Sequence, residues 1–358
     1  MSRIPVAVLG ATGSVGQRFI SLLDGHPWFE AVALAASDRS VGRPYAQACR
    51  WALPDPMPAW AREMTVLPPT PQAVQARIVF SALHSEQAQG IEPEFARAGA
   101  AVCSNASAWR AALDVPLLMP EVNAPHIALA REQRRQRGWD GCIVTNPNCT
   151  SAGMTVALKA LDEAFGVRQA FVVSLQALSG AGYPGVPSLD VADNVVPYIG
   201  GEEEKIEWEP RKMLGRLVEQ SRGEPGVHPS IELADLRLSA QANRVAVSDG
   251  HTVCVSVGLR ASASPEAASA ALAAYQAPAS ARDLPSAPRP VLLVRDEPDR
   301  PQPRLDRLTG NGMTTVVGRI RPDPLLTLKF VVLSHNTIRG AAGGSIYNAE
   351  LLVKENLL

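Results

Sequence analysis

The chain has 358 residues (38.1 kDa), enough for two domains that each bury a core. It is 46% hydrophobic and 19% charged, with 27 Gly, 30 Pro and a mean hydropathy near zero, which excludes a disordered chain, a collagen-like repeat and a coiled coil. Lys and Arg total 34 against 35 Asp and Glu, so the net charge is −1 and the basic surplus of a nucleic-acid binder is absent. Small molecules and copies of the same chain are the expected partners.

The five cysteines, at 49, 103, 142, 149 and 254, are odd in number and irregularly spaced, with no Cys-x-x-Cys. That pattern argues against a disulfide framework and a structural zinc, and for a reducing compartment. No metal is expected. Residues 1–10 read as a strand entering a glycine turn rather than a secretion leader. No apolar run approaches the roughly 20 residues that cross a bilayer. The expectation is a cytoplasmic protein without a membrane partner.

In chain order, residues 4–9 form an apolar strand, followed by Gly10-Ala-Thr-Gly13-Ser-Val-Gly16 and a helical pattern over 17–23. Further strands are predicted at 31–36, 77–83, 101–103 and 142–145, with helical stretches between most of them. Apolar strands alternating with amphipathic helices predict a doubly wound parallel sheet. The rhythm changes after residue 150. A helix over 151–165 leads to a strand at 170–177, a Gly/Pro-rich loop at 179–201 and a helix over 203–219. Strands then follow at 231–239, 252–259, 291–294, 314–320 and 326–333, interrupted by one helix at 265–275. Pro-rich residues 279–304 read as an ordered surface crossing, and 340–358 as a helix able to return to the first domain.

The predicted fold is therefore α/β. A Rossmann-type nucleotide-binding domain with a parallel sheet takes residues 1–148 and 334–358, and a second α/β domain with a mixed sheet takes 149–333.

The glycines at 10, 13 and 16 sit where a dinucleotide loop belongs, after the first strand and opening the first helix. They let the backbone approach a pyrophosphate whose charge the helix N-terminus stabilises. After the second strand, Asp38 is followed by Arg39 and Ser40, a cation and a hydroxyl suited to the 2′-phosphate of NADP. Cys149, in Thr145-Asn-Pro-Asn-Cys-Thr-Ser151, starts a helix just after a strand, a setting that favours a thiolate. Cys103 and Cys142 look like strand core. Among the six histidines, His251 stands out behind a glycine turn, with Arg244 seven residues before it.

Several motifs together, in order along the chain, resemble the aspartate-β-semialdehyde dehydrogenase family, and most of all its archaeal and fungal branch. They are Gly10–Gly16, Ser104-Asn-Ala-Ser-Ala-Trp-Arg110, Asn146-Pro-Asn-Cys-Thr150, Gly180-Ala-Gly-Tyr-Pro-Gly185, Gly200-Gly-Glu-Glu-Glu-Lys205, Arg244 to His251, and Ser334-His-Asn-Thr-Ile-Arg-Gly-Ala-Ala-Gly-Gly344.

The resemblance implies roles. Cys149 is the nucleophile, His251 the acid/base, and Gln176 a partner on the strand after the cysteine helix. Arg244 takes the substrate carboxylate, Glu209 the ammonium, and Lys212 with Arg110 the phosphate, with Asn148 beside them. Pro210 stands where the family often has threonine, and Glu202 with Lys205 form a rival pair at the same spacing. The implied cofactor set is Gly10, Thr12, Gly13, Ser14, Val15, Gly16, Ser37, Arg39, Ser40, Ser81, Ser179, Gly180 and Asn336. The implied reaction is NADP-dependent reductive dephosphorylation of L-aspartyl 4-phosphate through a cysteine thioester, in the amino-acid biosynthesis that leads to Lys, Thr and Met. The implied assembly is a homodimer or dimer of dimers, formed through the second domain. Malonyl-CoA reductases use the same thioester chemistry and are the alternative; a non-catalytic NADP-binding regulatory subunit is the remote one.

Overall fold

The structure, a computed structural model, describes residues 3–220 and 228–358. Six strands build a first sheet: β1 (Ile4–Leu9), β2 (Phe29–Ala35), β3 (Val66–Leu67), β4 (Ile78–Ser81), β5 (Ala101–Ser104) and β6 (Cys142–Thr145). All pairs are parallel, in the order β3-β2-β1-β4-β5-β6. Every residue of β4, β5 and β6 is buried, because helices cover both faces. The strand order reverses between β1 and β4, and there a doubly wound sheet leaves a crevice at its carboxyl edge. The first helix, Ser14–Leu23, opens into that crevice from Gly13 with no side chain capping it. A Cβ on Gly16 would lie 2.2 Å from the Gly10 carbonyl oxygen, so only glycine permits so tight a turn.

The second sheet contains β7 (Val167–Gln176), β10 (Arg237–Arg244), β11 (His251–Leu259), β12 (Leu292–Arg295), β13 (Thr315–Pro322) and β14 (Leu328–Ser334), in the order β10-β7-β11-β14-β13-β12. It is mixed: β10 with β7 and β12 with β13 are parallel, and the other pairs antiparallel. Apart from this sheet, β8 (Arg216–Gln220) pairs antiparallel with β9 (His228–Glu232). The register does the positioning. Arg244 pairs with Gln176, and His251 with Ser334, so the ends of β7, β10 and β14 and the start of β11 share one edge. The side chains most charged with chemistry in the second sheet therefore gather there.

Two expected elements differ. The helix over 203–219 is Glu202–Met213 and gives way to β8, with Pro210 in its last turn and Gly215 packed tightly behind. The strand over 231–239 is two strands, β9 and β10, and the second runs on to Arg244.

After β14 a π-helical turn, Ile338–Ala342, precedes the helix Gly343–Lys354, which packs against β4, β5 and the first helix. Polar anchors hold this return. Glu350 is fully buried and accepts from His26 Nε2 at 2.9 Å and from the Ser286 N–H at 2.9 Å. Arg339, also fully buried, pairs with Glu121. Among the described residues, no helix is long and apolar enough to cross a membrane.

Breaking one half of a buried pair leaves the other charge without compensation, at a cost of about 3–5 kcal/mol. Arg339→Met should therefore lower the urea midpoint sharply, and adding Glu121→Gln should recover most of the loss. A single variant as stable as the parent would show that the pair contributes little.

Candidate active site

The C-terminal edge of the first sheet and the shared edge of the second face each other across a cleft of about 420 Å³. Gly13, Ser14 and Val15 line one end. Ala82 to Ser85 and Asn105 to Ser107 line the middle, with Cys149, Arg110, Glu202 and Lys205 beyond them. Ser179, Gly180, Tyr183, Asn336, Thr337 and Gly340 close the remaining side.

Cys149 begins the helix Cys149–Phe165, directly after β6. Asn148 caps that helix: its Oδ1 accepts from the N–H groups of Thr150 at 2.9 Å and Ser151 at 3.3 Å. The N–H of Asn148 itself donates to Glu209 at 2.6 Å. These bonds take the backbone donors on either side, so the N–H groups after Cys149 are consumed by the cap, and the N–H of Cys149 is the one at this helix start that faces the sulfur's own surroundings. Gly340, in the π-turn, packs directly on the nucleophile; a Cβ there would lie 2.7 Å from Cys149 Cβ.

Sγ of Cys149 lies 3.2 Å from His251 Nε2. The other ring nitrogen, Nδ1, accepts from the N–H of Ala177 at 3.0 Å. A neutral ring that accepts at Nδ1 carries its proton on Nε2, so His251 presents a donor to the sulfur. Burial, followed by Arg244 and His335, pushes the imidazole down to about 3. Burial and Glu202 push the Cys149 thiol up to about 12, against the pull of Arg110 and Arg244. Both shifts favour a neutral thiol beside a neutral ring.

The remaining polar groups form one network. Glu202 Oε2 accepts from Asn148 Nδ2 at 2.8 Å and from Gln176 Nε2 at 3.2 Å, and Oε1 meets Lys205 Nζ at 3.0 Å. Burial raises this carboxyl, but Lys205 and the two amides together hold it below the usual carboxylate range. Gln176 is therefore bound to Glu202 rather than to the sulfur. Arg244 is buried and spends Nη1 on the Ala177 carbonyl at 2.7 Å. Asn336 ties Ser179 Oγ (2.8 Å) to the Gly250 N–H (2.8 Å), and so fixes the turn that delivers His251.

Four expected placements need correction. Glu209 and Lys212 do not reach the cleft. Glu209 is fully buried, salt-bridged to Arg110 at 2.8 Å, and burial raises its carboxyl. Lys212 donates to the carbonyls of Arg110, Ala112 and Val115 at 2.8, 2.8 and 2.9 Å, which uses all three of its protons. The rival pair, Glu202 and Lys205, faces the cleft instead. Ser81 is fully buried and its carbonyl is taken by Asn105 Nδ2 at 3.1 Å. Ser40 is buried as well, its N–H bonded to the Ser37 carbonyl, which leaves Ser37, Asp38 and Arg39 as the exposed side chains after β2. Gly10, Thr12 and Gly16 shape the turn beneath the cleft; the Thr12 carbonyl is held by Gln17 Nε2 at 3.0 Å. Sequence reasoning missed Thr337, Gly340 and the Ala82–Ser85 stretch. The motifs Ser104–Arg110 and 334–344 pointed to their neighbours without assigning them.

The family described as "Semialdehyde dehydrogenase, NAD binding domain" matches residues 5–130, and "Semialdehyde dehydrogenase, dimerisation domain" matches residues 158–339. An aspartate-semialdehyde dehydrogenase of Archaeoglobus fulgidus is 51% identical, over 99% of this chain and 100% of its own length. That of Schizosaccharomyces pombe is 48% identical over 99% of both chains. The crystal structure of the Candida albicans aspartate semialdehyde dehydrogenase with NADP superposes with a TM-score of 0.88 at 43% identity, covering 100% of each chain.

The ring assignment is open to direct measurement. With its imidazole held down to about 3, His251 stays neutral from pH 5 to 8. Its 15N resonances should keep the Nε2-protonated pattern across that range. A titration centred near pH 6.5 would mean that the ring is neither buried nor held by Ala177.

Proposed function

This chain belongs to the semialdehyde dehydrogenase family, and on that premise we propose how its residues carry out the NADP-dependent reductive dephosphorylation of L-aspartyl 4-phosphate to L-aspartate 4-semialdehyde. Full-length relatives and the NADP-bound neighbour favour this reaction over malonyl-CoA reduction and over a silent NADP-binding subunit. The observation that carries the mechanism is the Cys149–His251 contact at the inner end of a cleft whose outer end is an uncapped helix N-terminus.

The residues present fit NADP. The N–H groups of Ser14 and Val15, at a helix start that no side chain caps, suit a pyrophosphate, and Arg39 with Ser37, exposed after β2 on either side of Asp38, suits a 2′-phosphate. Ser179, Gly180 and Asn336 lie where the cleft narrows toward Cys149 and would hold the nicotinamide end. When bound, the reduced cofactor supplies the hydride.

Cys149 Sγ attacks the acyl carbon; the C–S bond forms as the C–O bond to phosphate breaks, and the thiol proton leaves on the phosphate. His251 Nε2–H donates to the sulfur while it carries charge, and the Cys149 N–H is placed for the oxygen that becomes an anion. With the thioester carbon reduced, the C–S bond would break and the aldehyde leave, and the same Nε2–H would hold the thiolate until a proton from solvent restores the thiol. Arg244 faces the carboxylate, Glu202 the ammonium, and Lys205 with Arg110 the phosphate, so each substrate charge meets its opposite.

For the assembly, the family description supports an oligomer, and we assign its interface to the outer face of the second sheet. Phe171 and Cys254 are exposed there, in register beside half-buried Val173, Leu175 and Val331, an apolar stripe that a second copy would cover. We take residues 1–148 and 334–358 as the nucleotide domain and 149–333 as the substrate and dimerisation domain. All five cysteines are free, as a reducing compartment permits, and we place the protein in the cytoplasm.

Purified protein should form NADPH from aspartate semialdehyde plus phosphate and fail to oxidise NADPH with malonyl-CoA; the reverse would overturn the substrate. Glu202→Gln should cut kcat/KM for aspartate semialdehyde about ten- to a hundredfold, since a charge-assisted contact is worth roughly 1.5–3 kcal/mol. An analogue lacking the amine should be spared, and equal losses on both would remove Glu202 from ammonium recognition.

The interface has its own check. Cys254 should resist alkylation in the native assembly and react once dilution or mild urea separates the subunits. Rapid labelling of Cys254 in an intact dimer would move the interface elsewhere.

A further inference from the structure

The acidic helix Glu202–Met213 carries two Glu-x-x-Lys pairs, two turns apart. The first pair, Glu202 and Lys205, lines the cleft. The second, Glu209 and Lys212, is walled off from it, yet neither charge is idle. Glu209, fully buried, grips two things at once: Arg110 Nη1 at 2.8 Å and the backbone N–H of Asn148 at 2.6 Å. The first belongs to the arginine that borders the cleft, the second to the residue immediately before the nucleophile. Lys212 ties the same helix to the 110–115 segment through three carbonyls. Arg110 Nη2 is fixed in turn to the Asn105 carbonyl at 2.7 Å, while its Nε is buried without a partner. A buried carboxylate is costly unless its bonds are well made, and here both oxygens are used.

We propose that Glu209 is a positioning residue that sets Arg110 and the Cys149 loop in one rigid frame, so that a phosphate bound at Arg110 lies at a fixed distance from the sulfur. The proposal rests on the assignment of Arg110 to the substrate phosphate. It also gives Glu209 a second effect. Its charge offsets that of Arg110, so phosphate is held loosely enough to leave after the thioester forms.

These two effects pull the kinetic constants apart. In Glu209→Gln the frame loosens while Arg110 loses its counter-charge. In the phosphorylating direction kcat should fall at least tenfold, whereas KM for phosphate should stay level or drop, and KM for aspartate semialdehyde should stay within about twofold. Glu209→Asp keeps the charge but is a methylene too short to span both partners. It should lose kcat without any drop in KM for phosphate, and it serves alone if the glutamine variant does not fold.

A tenfold rise in KM for aspartate semialdehyde with kcat intact would return Glu209 to ammonium binding and overturn the proposal. So would constants within twofold of the parent in either variant, which would leave Glu209 a purely structural contact. The parent enzyme is assayed alongside. Absence of its phosphate-dependent activity would strike the functional reading, whereas a normal parent with unmoved variants strikes only Glu209.

Discussion

The cap that Asn148 places on the helix beginning at Cys149 is the contact on which the cleft depends. One side chain receives two backbone N–H groups through Oδ1 and, through Nδ2, holds Glu202. The helix start is thereby fixed to a carboxylate that lines the cleft beside it. Glu202 in turn fixes Gln176 at the end of β7, and β7 fixes Arg244 through strict register. The nucleophile, which follows β6 of the first sheet, is thus tied to the edge of the second sheet by a chain of short bonds.

Electrostatics follow from that geometry. The sulfur is crowded by burial and by a carboxylate, and helped by two guanidinium groups at a distance. Burial and the carboxylate thus favour the thiol over the thiolate. In the reaction proposed above, the substrate's phosphate is both the anion that meets these cations and the acceptor for the thiol proton. The neutral, donor-bearing ring of His251 suits a partner that must steady a thiolate and does not need to become a cation itself.

Much of this was legible in the sequence because the signals were local. The glycines at 10, 13 and 16, the strand-then-helix setting of Cys149 and the Gly250-His251 turn each announce their geometry within a few residues. The choice between Glu202 with Lys205 and Glu209 with Lys212 was not legible. Both pairs share a helix, a spacing and a side of that helix, and only the segment packed against its second half, with carbonyls waiting for Lys212, decides between them. The burial of Ser40 and Ser81 is hidden for a similar reason: a hydroxyl at a strand end reads the same whether it points out or in. The π-turn at Ile338–Ala342 left no periodic signal at all, since it is defined by one extra residue in a ladder.

The π-turn has a further consequence for how the protein is made. Gly340, which walls the nucleophile, is translated long after Cys149, and the helix Gly343–Lys354 that completes the first sheet's cover follows it. During synthesis the strands of the nucleotide unit emerge early and must wait, with one flank of the β4–β5 surface bare, for a partner still to come. A nascent chain therefore holds its cysteine outside any working cleft, and competence arrives in a single late step when the returning helix docks. Truncations within that helix would strike solubility and reactivity together, although none of its residues lines the cleft.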